Sequence, residues 1–174
     1  MIKSVELVDF LSHSDTKLEF DNSTTVFVGQ NGAGKSSIID AITFALFGKH
    51  TRKNNKSLIR RGANQGFTKI KFSANGKNYQ ALRKIDSKGA LIAQFSEEVD
   101  GNLKIIAEGE RKQFDESMTK EIEKTLGIEF EKLKIASIVQ QGELSTIIKA
   151  KPKEFKELVN AIIGIDKLDI ALGL

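Results

Sequence analysis

The stretch VFVGQNGAGKSSIIDAITFALFG, beginning at Val26, places a cluster of glycines between an apolar run and a helical pattern. Val26, Phe27 and Val28 are β-branched or aromatic and predict a short buried strand. Ile38, Ile42, Ala45 and Leu46 recur at i, i+4, i+7 and i+8, one face of a helix, and Gly48 suits its end. Gly29, Gly32 and Gly34 occupy the turn between. Without Cβ atoms they admit left-handed dihedrals and let successive backbone N–H groups face one point. That point lies at a helix N-terminus, where the dipole places about half a positive charge. Such a point binds an anion, most readily a phosphate. Lys35 adds a full charge, and Ser36 offers a hydroxyl to a magnesium ion. The spacing Gly29–x4–Gly34–Lys35–Ser36, in a strand–loop–helix context, is that of a phosphate-binding loop and predicts a nucleoside triphosphate as ligand.

The rest of the composition bounds the setting. The chain has 174 residues, about one domain, with 40% hydrophobic and 29% charged residues. No apolar run approaches the length of a membrane span, so no membrane partner is expected. "MIKSVELVDF" lacks the apolar centre of a signal peptide, and the cytoplasm is the default location. With no cysteine there is neither a disulfide framework nor a thiolate metal site. The net charge of +4 is unevenly spread. The acid-free run from Lys49 to Arg61 holds Lys49, Arg52, Lys53, Lys56, Arg60 and Arg61. Such a run can be a solvated loop, meet nucleic-acid phosphates, or lend one or two cations to a bound nucleotide.

Around the glycine loop the periodicities are clear. Ile2–Phe10 and Thr16–Phe20 read as paired strands, with a turn at Asp21–Thr25. After the basic run come Thr68–Phe72, Asn78–Ile85, Leu91–Ser96 and Leu103–Ala107, short β-like pieces separated by "ANGK", "DSKG" and "VDGN". Turn chemistry at hairpin spacing predicts an antiparallel meander instead of further βα units. Phe114, Met118, Ile122 and Leu126 then repeat every four residues, with Gly127 as a C-cap. A second helical stretch starts near Phe130. "VQQGEL" (Val139–Leu144) interrupts it, and Pro152 opens a helix with Phe155, Leu158, Val159, Ile162 and Ile163 on one stripe.

A complete hydrolase of this class carries a second acid, at the end of an apolar strand, that helps hold magnesium. None is convincing here. "AIIGID", ending at Asp166, imitates one, but Gly164 interrupts it and its apolar residues belong to the helical stripe. "NKSL" (Asn55–Leu58) has Leu58 where a guanine-reading motif needs an aspartate.

Three segments together, "VELVDFLSHSDTKLEF", "VFVGQNGAGKSSIIDAITFALFG" and "SIVQQGEL", resemble the N-terminal half of an ABC-type ATPase head. The resemblance is to the SMC-like ATPase family of the double-strand-break repair nuclease complex, relatives of bacterial SbcC, and covers essentially the whole chain. It implies an α/β fold: an antiparallel β meander, a phosphate-binding-loop core and a helical segment leading to a coiled coil from about residue 166. In that family the head is split. The signature motif, the Asp-Glu strand and the switch histidine follow the coiled coil, and a zinc hook lies at its apex. The missing acid is then expected, and this chain alone should be inactive as an ATPase.

Carried over residue by residue, the resemblance implies that Asn31, Gly32, Ala33, Gly34, Lys35, Ser36 and Ser37 cradle the phosphates of ATP. Lys35 would reach the β- and γ-phosphates and Ser36 would ligate Mg2+. Gln141, in a loop near residues 140–143, would ligate the magnesium or its water and sense the γ-phosphate; Gln140 is adjacent, and Gln141 is preferred because it directly precedes Gly142. The implied partners are the C-terminal half of the same ATPase, a second head in a homodimer, a repair nuclease subunit and double-stranded DNA, with nucleoid association in a prokaryote. One departure stands out. The family commonly has a basic residue where this chain has Leu11, and Arg60 or Arg61 is a candidate replacement. Other ABC ATPases, whether SMC, recombination-type or transporter domains, share the loop; in a transporter domain Phe10 or Phe20 would stand in for the adenine-stacking aromatic. A non-catalytic ATP-binding scaffold is a third possibility.

Overall fold

In the computed structural model, residues 1–137 are described. The expected loop at Gln140 and Gln141, the helix after Pro152 and the coiled-coil root lie outside them. The chain divides into two units, Met1–Gly127 and Ile128–Leu174. In the second, the described element is helix α3, Phe130–Ser137.

The first unit is a six-stranded sheet with two helices. The strands are β1 (Ile2–Phe10), β2 (His13–Glu19), β3 (Gln65–Ala74), β4 (Lys77–Asp86), β5 (Gly89–Val99) and β6 (Asn102–Glu110). They lie in the order β2-β1-β3-β4-β5-β6, every neighbouring pair antiparallel. The expected meander is present, with each strand longer than its apolar centre. At the β3–β4 and β5–β6 hairpins the central residues Asn75-Gly76 and Asp100-Gly101 all have positive φ, the type I′ geometry that matches the twist of the flanking strands.

Helix α1 (Lys35–Phe47) packs on β1, β3 and β4, and helix α2 (Arg111–Leu126) packs on β5 and β6. Register aligns the buried face in rows. Val5, Ile70, Ala81 and Phe95 face one another across β1, β3, β4 and β5, and Leu7, Thr68, Arg83 and Ala93 form the next row. Phe72, Tyr79 and Phe95 stack with ring centroids 5.4–6.1 Å apart. From the helices, Ile38, Ala41, Phe44, Ala45, Leu46, Met118 and Ile122 close this core. Phe10 is buried against Phe44, with ring centroids 6.0 Å apart, so it belongs to the core and is not available to stack on a base.

The second row contains two buried polar residues, and both bond to α1. Thr68 Oγ1 donates to the Ala41 carbonyl at 3.3 Å. Arg83, 1% exposed, donates from Nε to the Ala45 carbonyl at 3.0 Å, and from a terminal nitrogen to the Leu46 carbonyl at 3.3 Å and to Thr119 Oγ1 on α2 at 2.8 Å. A guanidinium suits this place because the last carbonyls of a helix lack intrahelical donors and carry partial negative charge. Burial pushes the Arg83 pKa down to about 9.

One expectation fails. Val26–Val28 forms no strand, with Val26 73% and Val28 88% exposed. A strand needs a neighbour to satisfy its N–H and C=O groups, and this segment pairs with none of the six strands of the first unit.

Arg83→Met is expected to cost about 2–4 kcal/mol in urea unfolding, because it orphans buried carbonyls at the end of α1. Arg83→Lys should recover little of that loss, since one ammonium cannot replace a fork that reaches two helices. An Arg83→Met protein within about 0.5 kcal/mol of the parent would show that this contact contributes little to stability.

Candidate nucleotide site

The glycine loop occupies the N-terminal end of α1. Gly29, Gly32 and Gly34 have φ of 156°, 85° and 91°. Gly34 is the N-cap, in the left-handed region, and no side chain caps the helix. Apart from the Ser37 N–H, which donates to the Gly34 carbonyl at 3.0 Å, the first-turn N–H groups are left to whatever enters the loop. Asn31, Gly32, Ala33 and Ser36 are exposed, while Ser37 is buried beneath them. Lys35 Nζ donates to the carbonyls of Gly29 and Gln30, each at 2.8 Å. The lysine thus lies folded across the mouth of the loop. The structure gathers all the loop residues named from the sequence, Asn31 to Ser37, at one point; Gln141 lies outside the described residues.

Gly34 is constrained from behind as well. A Cβ there would come within 2.5 Å of Ser12 Oγ and 2.7 Å of His13 Nε2. The turn between β1 and β2 backs directly onto the loop. His13 Nε2 lies 3.2 Å from the Gly34 carbonyl, and its Nδ1 lies 3.0 Å from Thr16 Oγ1. Periodicity does not single out Ser12 or His13; the signal in the sequence is the stretch "VELVDFLSHSDTKLEF", which contains both and carries part of the resemblance.

The basic run is tied to the same corner and to α1. Leu11 N–H donates to the Leu58 carbonyl at 2.6 Å, and Arg60 N–H donates to the Asp9 carbonyl at 2.8 Å. Arg60 Nε also pairs with Asp9 Oδ1 at 2.7 Å. Asp40, buried on α1, accepts from the Thr51 backbone N–H at 2.8 Å and from Thr51 Oγ1 at 2.9 Å, with Arg52 Nε 3.5 Å away. So Arg52 and Arg60 are engaged by acids, while Lys49, Lys53, Lys56 and Arg61 are exposed. Asp40 was read only as part of the helix; nothing local in the sequence shows that it anchors a loop eleven residues on.

Comparison with known proteins gives the family. A family described as AAA domain matches residues 4–172. The DNA double-strand break repair Rad50 ATPase of Thermoplasma volcanium is 34% identical over 170 residues, and that of Saccharolobus solfataricus is 35% identical over 171. Each alignment covers 97% of this chain, and the chain spans 18% of the length of each of these curated relatives. Among solved structures, a chain from the structural biochemistry of ATP-driven dimerization and DNA stimulated activation of SMC ATPases matches with a TM-score of 0.68 at 23% identity, over 92% of this chain and 98% of that one. The recombination mediator protein RecF matches at 0.55 and 18% identity, over 94% of this chain and 38% of that one. Those two likenesses establish the fold. With a glycine loop capping α1, and with relatives aligned along nearly its full length, the chain belongs to the AAA domain family and is homologous to a segment of the Rad50 repair ATPases.

Proposed function

We propose that this chain is the ATP-binding half of the head of a DNA double-strand break repair ATPase, in which ATP drives two heads together and hydrolysis controls DNA binding and a partner nuclease. The observation that carries the reading is the loop at Gly29–Ser36, with its left-handed glycines, uncapped helix N-terminus and single lysine. The open space around Gly32, where a Cβ would meet nothing within 4 Å, leaves room for phosphate oxygens against the backbone. The donor set fits ATP and Mg2+. Backbone N–H groups from Asn31 to Ser37 would hold the phosphates, Lys35 would exchange its two carbonyl acceptors for phosphate oxygens, and the exposed Ser36 hydroxyl would ligate the magnesium. Bound Mg2+ would supply charge neutralisation at the phosphates. Gln141 would ligate the magnesium or its water and sense the γ-phosphate.

The rest of the head would come from elsewhere in the protein. The Val26–Val28 segment supports this, because an exposed apolar strand former fits a ladder donated by a complementary half. On this reading the whole chain is the N-terminal half of the head, with the glutamine loop near residues 140–143 and a coiled-coil root from about 166. Its partners would be the C-terminal half, a second head, a repair nuclease subunit and duplex DNA met by the basic run, in the cytoplasm and, in a prokaryote, at the nucleoid. Among the described residues no helix is long and apolar enough to cross a membrane.

The chain alone should hydrolyse ATP negligibly, and mixing it with the C-terminal half should restore turnover that Lys35→Ala abolishes. Robust hydrolysis by the purified chain alone, lost in Lys35→Ala, would refute the split site. Gln141→His should spare ATP binding but suppress ATP-dependent dimerisation of the reconstituted head, followed by light scattering. Normal dimerisation would move the sensing role to Gln140. The double variant Lys53→Glu, Lys56→Glu should weaken duplex binding by the ATP-bound head across sequences and more at low salt, since each phosphate contact contributes a slope of about −0.9 in log K against log salt. Unchanged duplex binding at low salt would remove this loop from the DNA site, and a loss of ATP affinity would assign it to the nucleotide.

A further inference from the structure

We infer that His13 is a positioning residue for the phosphate cradle, acting through the peptide bond between Gly34 and Lys35; the inference rests on the proposed nucleotide reading for its ligand, though not for its geometry. A carbonyl only accepts hydrogen bonds, so the 3.2 Å contact requires a proton on His13 Nε2. In the neutral ring Nδ1 is then an acceptor, and the Thr16 hydroxyl, 3.0 Å away, donates to it. The Gly34 carbonyl therefore selects the tautomer, and the Thr16 hydroxyl, which can donate or accept, accommodates it.

The consequence for the loop follows from peptide planarity. In a trans peptide the carbonyl and the next N–H point in opposite directions. Holding the Gly34 carbonyl toward the β1–β2 turn therefore directs the Lys35 N–H away from it, into the loop. Gly34 is able to let that plane rotate, because a left-handed φ of 91° carries no side-chain penalty in glycine. The same carbonyl also accepts from the Ser37 N–H at 3.0 Å, so one oxygen is held by the helix and by the turn together. Ser12 Oγ closes the space behind Gly34 and blocks a retreat of the loop. His13 thus supplies preorganisation: the cradle meets an anion with its amide already aimed, and less ordering is left for binding to offset.

The test uses the two amide side chains that resemble parts of imidazole. The amide nitrogen of Gln reaches roughly the position of Nε2 and that of Asn the position of Nδ1. His13→Ala and His13→Asn should weaken affinity for MgATP roughly three- to tenfold, the size of one hydrogen bond, while His13→Gln stays within about twofold of the parent. Retained binding in His13→Ala, or equal losses in the Gln and Asn variants, would overturn the inference. Nitrogen-15 NMR of the nucleotide-free chain, with the neutral ring identified from spectra recorded across a pH series, gives a second readout. The His13 proton should sit on Nε2, and the Lys35 amide signal should move in His13→Ala but not in His13→Gln. A proton on Nδ1 overturns the inference whatever the chain binds. Should Lys35→Ala bind ATP as tightly as the parent, the nucleotide reading fails instead, and the NMR result still decides the role of His13.

Discussion

The cross-strand pair Thr68 and Arg83 grips helix α1 from beneath, and the placement of the glycine loop depends on that grip. Apolar packing of Ile38, Ala41, Phe44 and Ala45 draws the helix onto the sheet, but such packing is non-directional. Bonds from Thr68 to the Ala41 carbonyl and from Arg83 to those of Ala45 and Leu46 set where the helix lies along its own axis. The guanidinium also meets the negative end of the helix dipole, so the positive end faces the loop. By reaching Thr119 the same side chain joins the second helix to the first.

At the other end of α1, the corner between β1 and β2 gathers the parts of the site. Asp9 and Leu11 both have positive φ, 47° and 51°, a conformation that costs a non-glycine residue about 1 kcal/mol or more. Three contacts hold the corner there: Leu11 to Leu58, and Arg60 to the Asp9 carbonyl and carboxylate. The corner therefore touches the basic run on one side and, through Ser12 and His13, the Gly34 turn on the other. Leu11 contributes its backbone to this arrangement, and Arg60 is already paired with Asp9.

What the amino-acid order determined by itself is whatever depends on neighbours within a few residues. The glycine spacing, the helix from Lys35 to Gly48, the type I′ hairpins and the stripe ending at Gly127 are local, since dihedral preference and periodicity act over single turns. The glycine turn at the start of α1 was legible for the same reason. Tertiary structure decided the rest. Val26–Val28 has every local mark of a buried strand and is exposed, because pairing needs a second segment and no local rule supplies one. Arg83, one of three cations in β4 with Lys77 and Lys84, is buried only because register sets it opposite Thr68 and beneath the end of α1. Asp40 holds Thr51, and His13 holds Gly34, across separations that periodicity does not span. Sequence thus wrote the glycine loop, and long-range packing placed it, because a hydrogen bond between distant residues exists only after the sheet has brought them together.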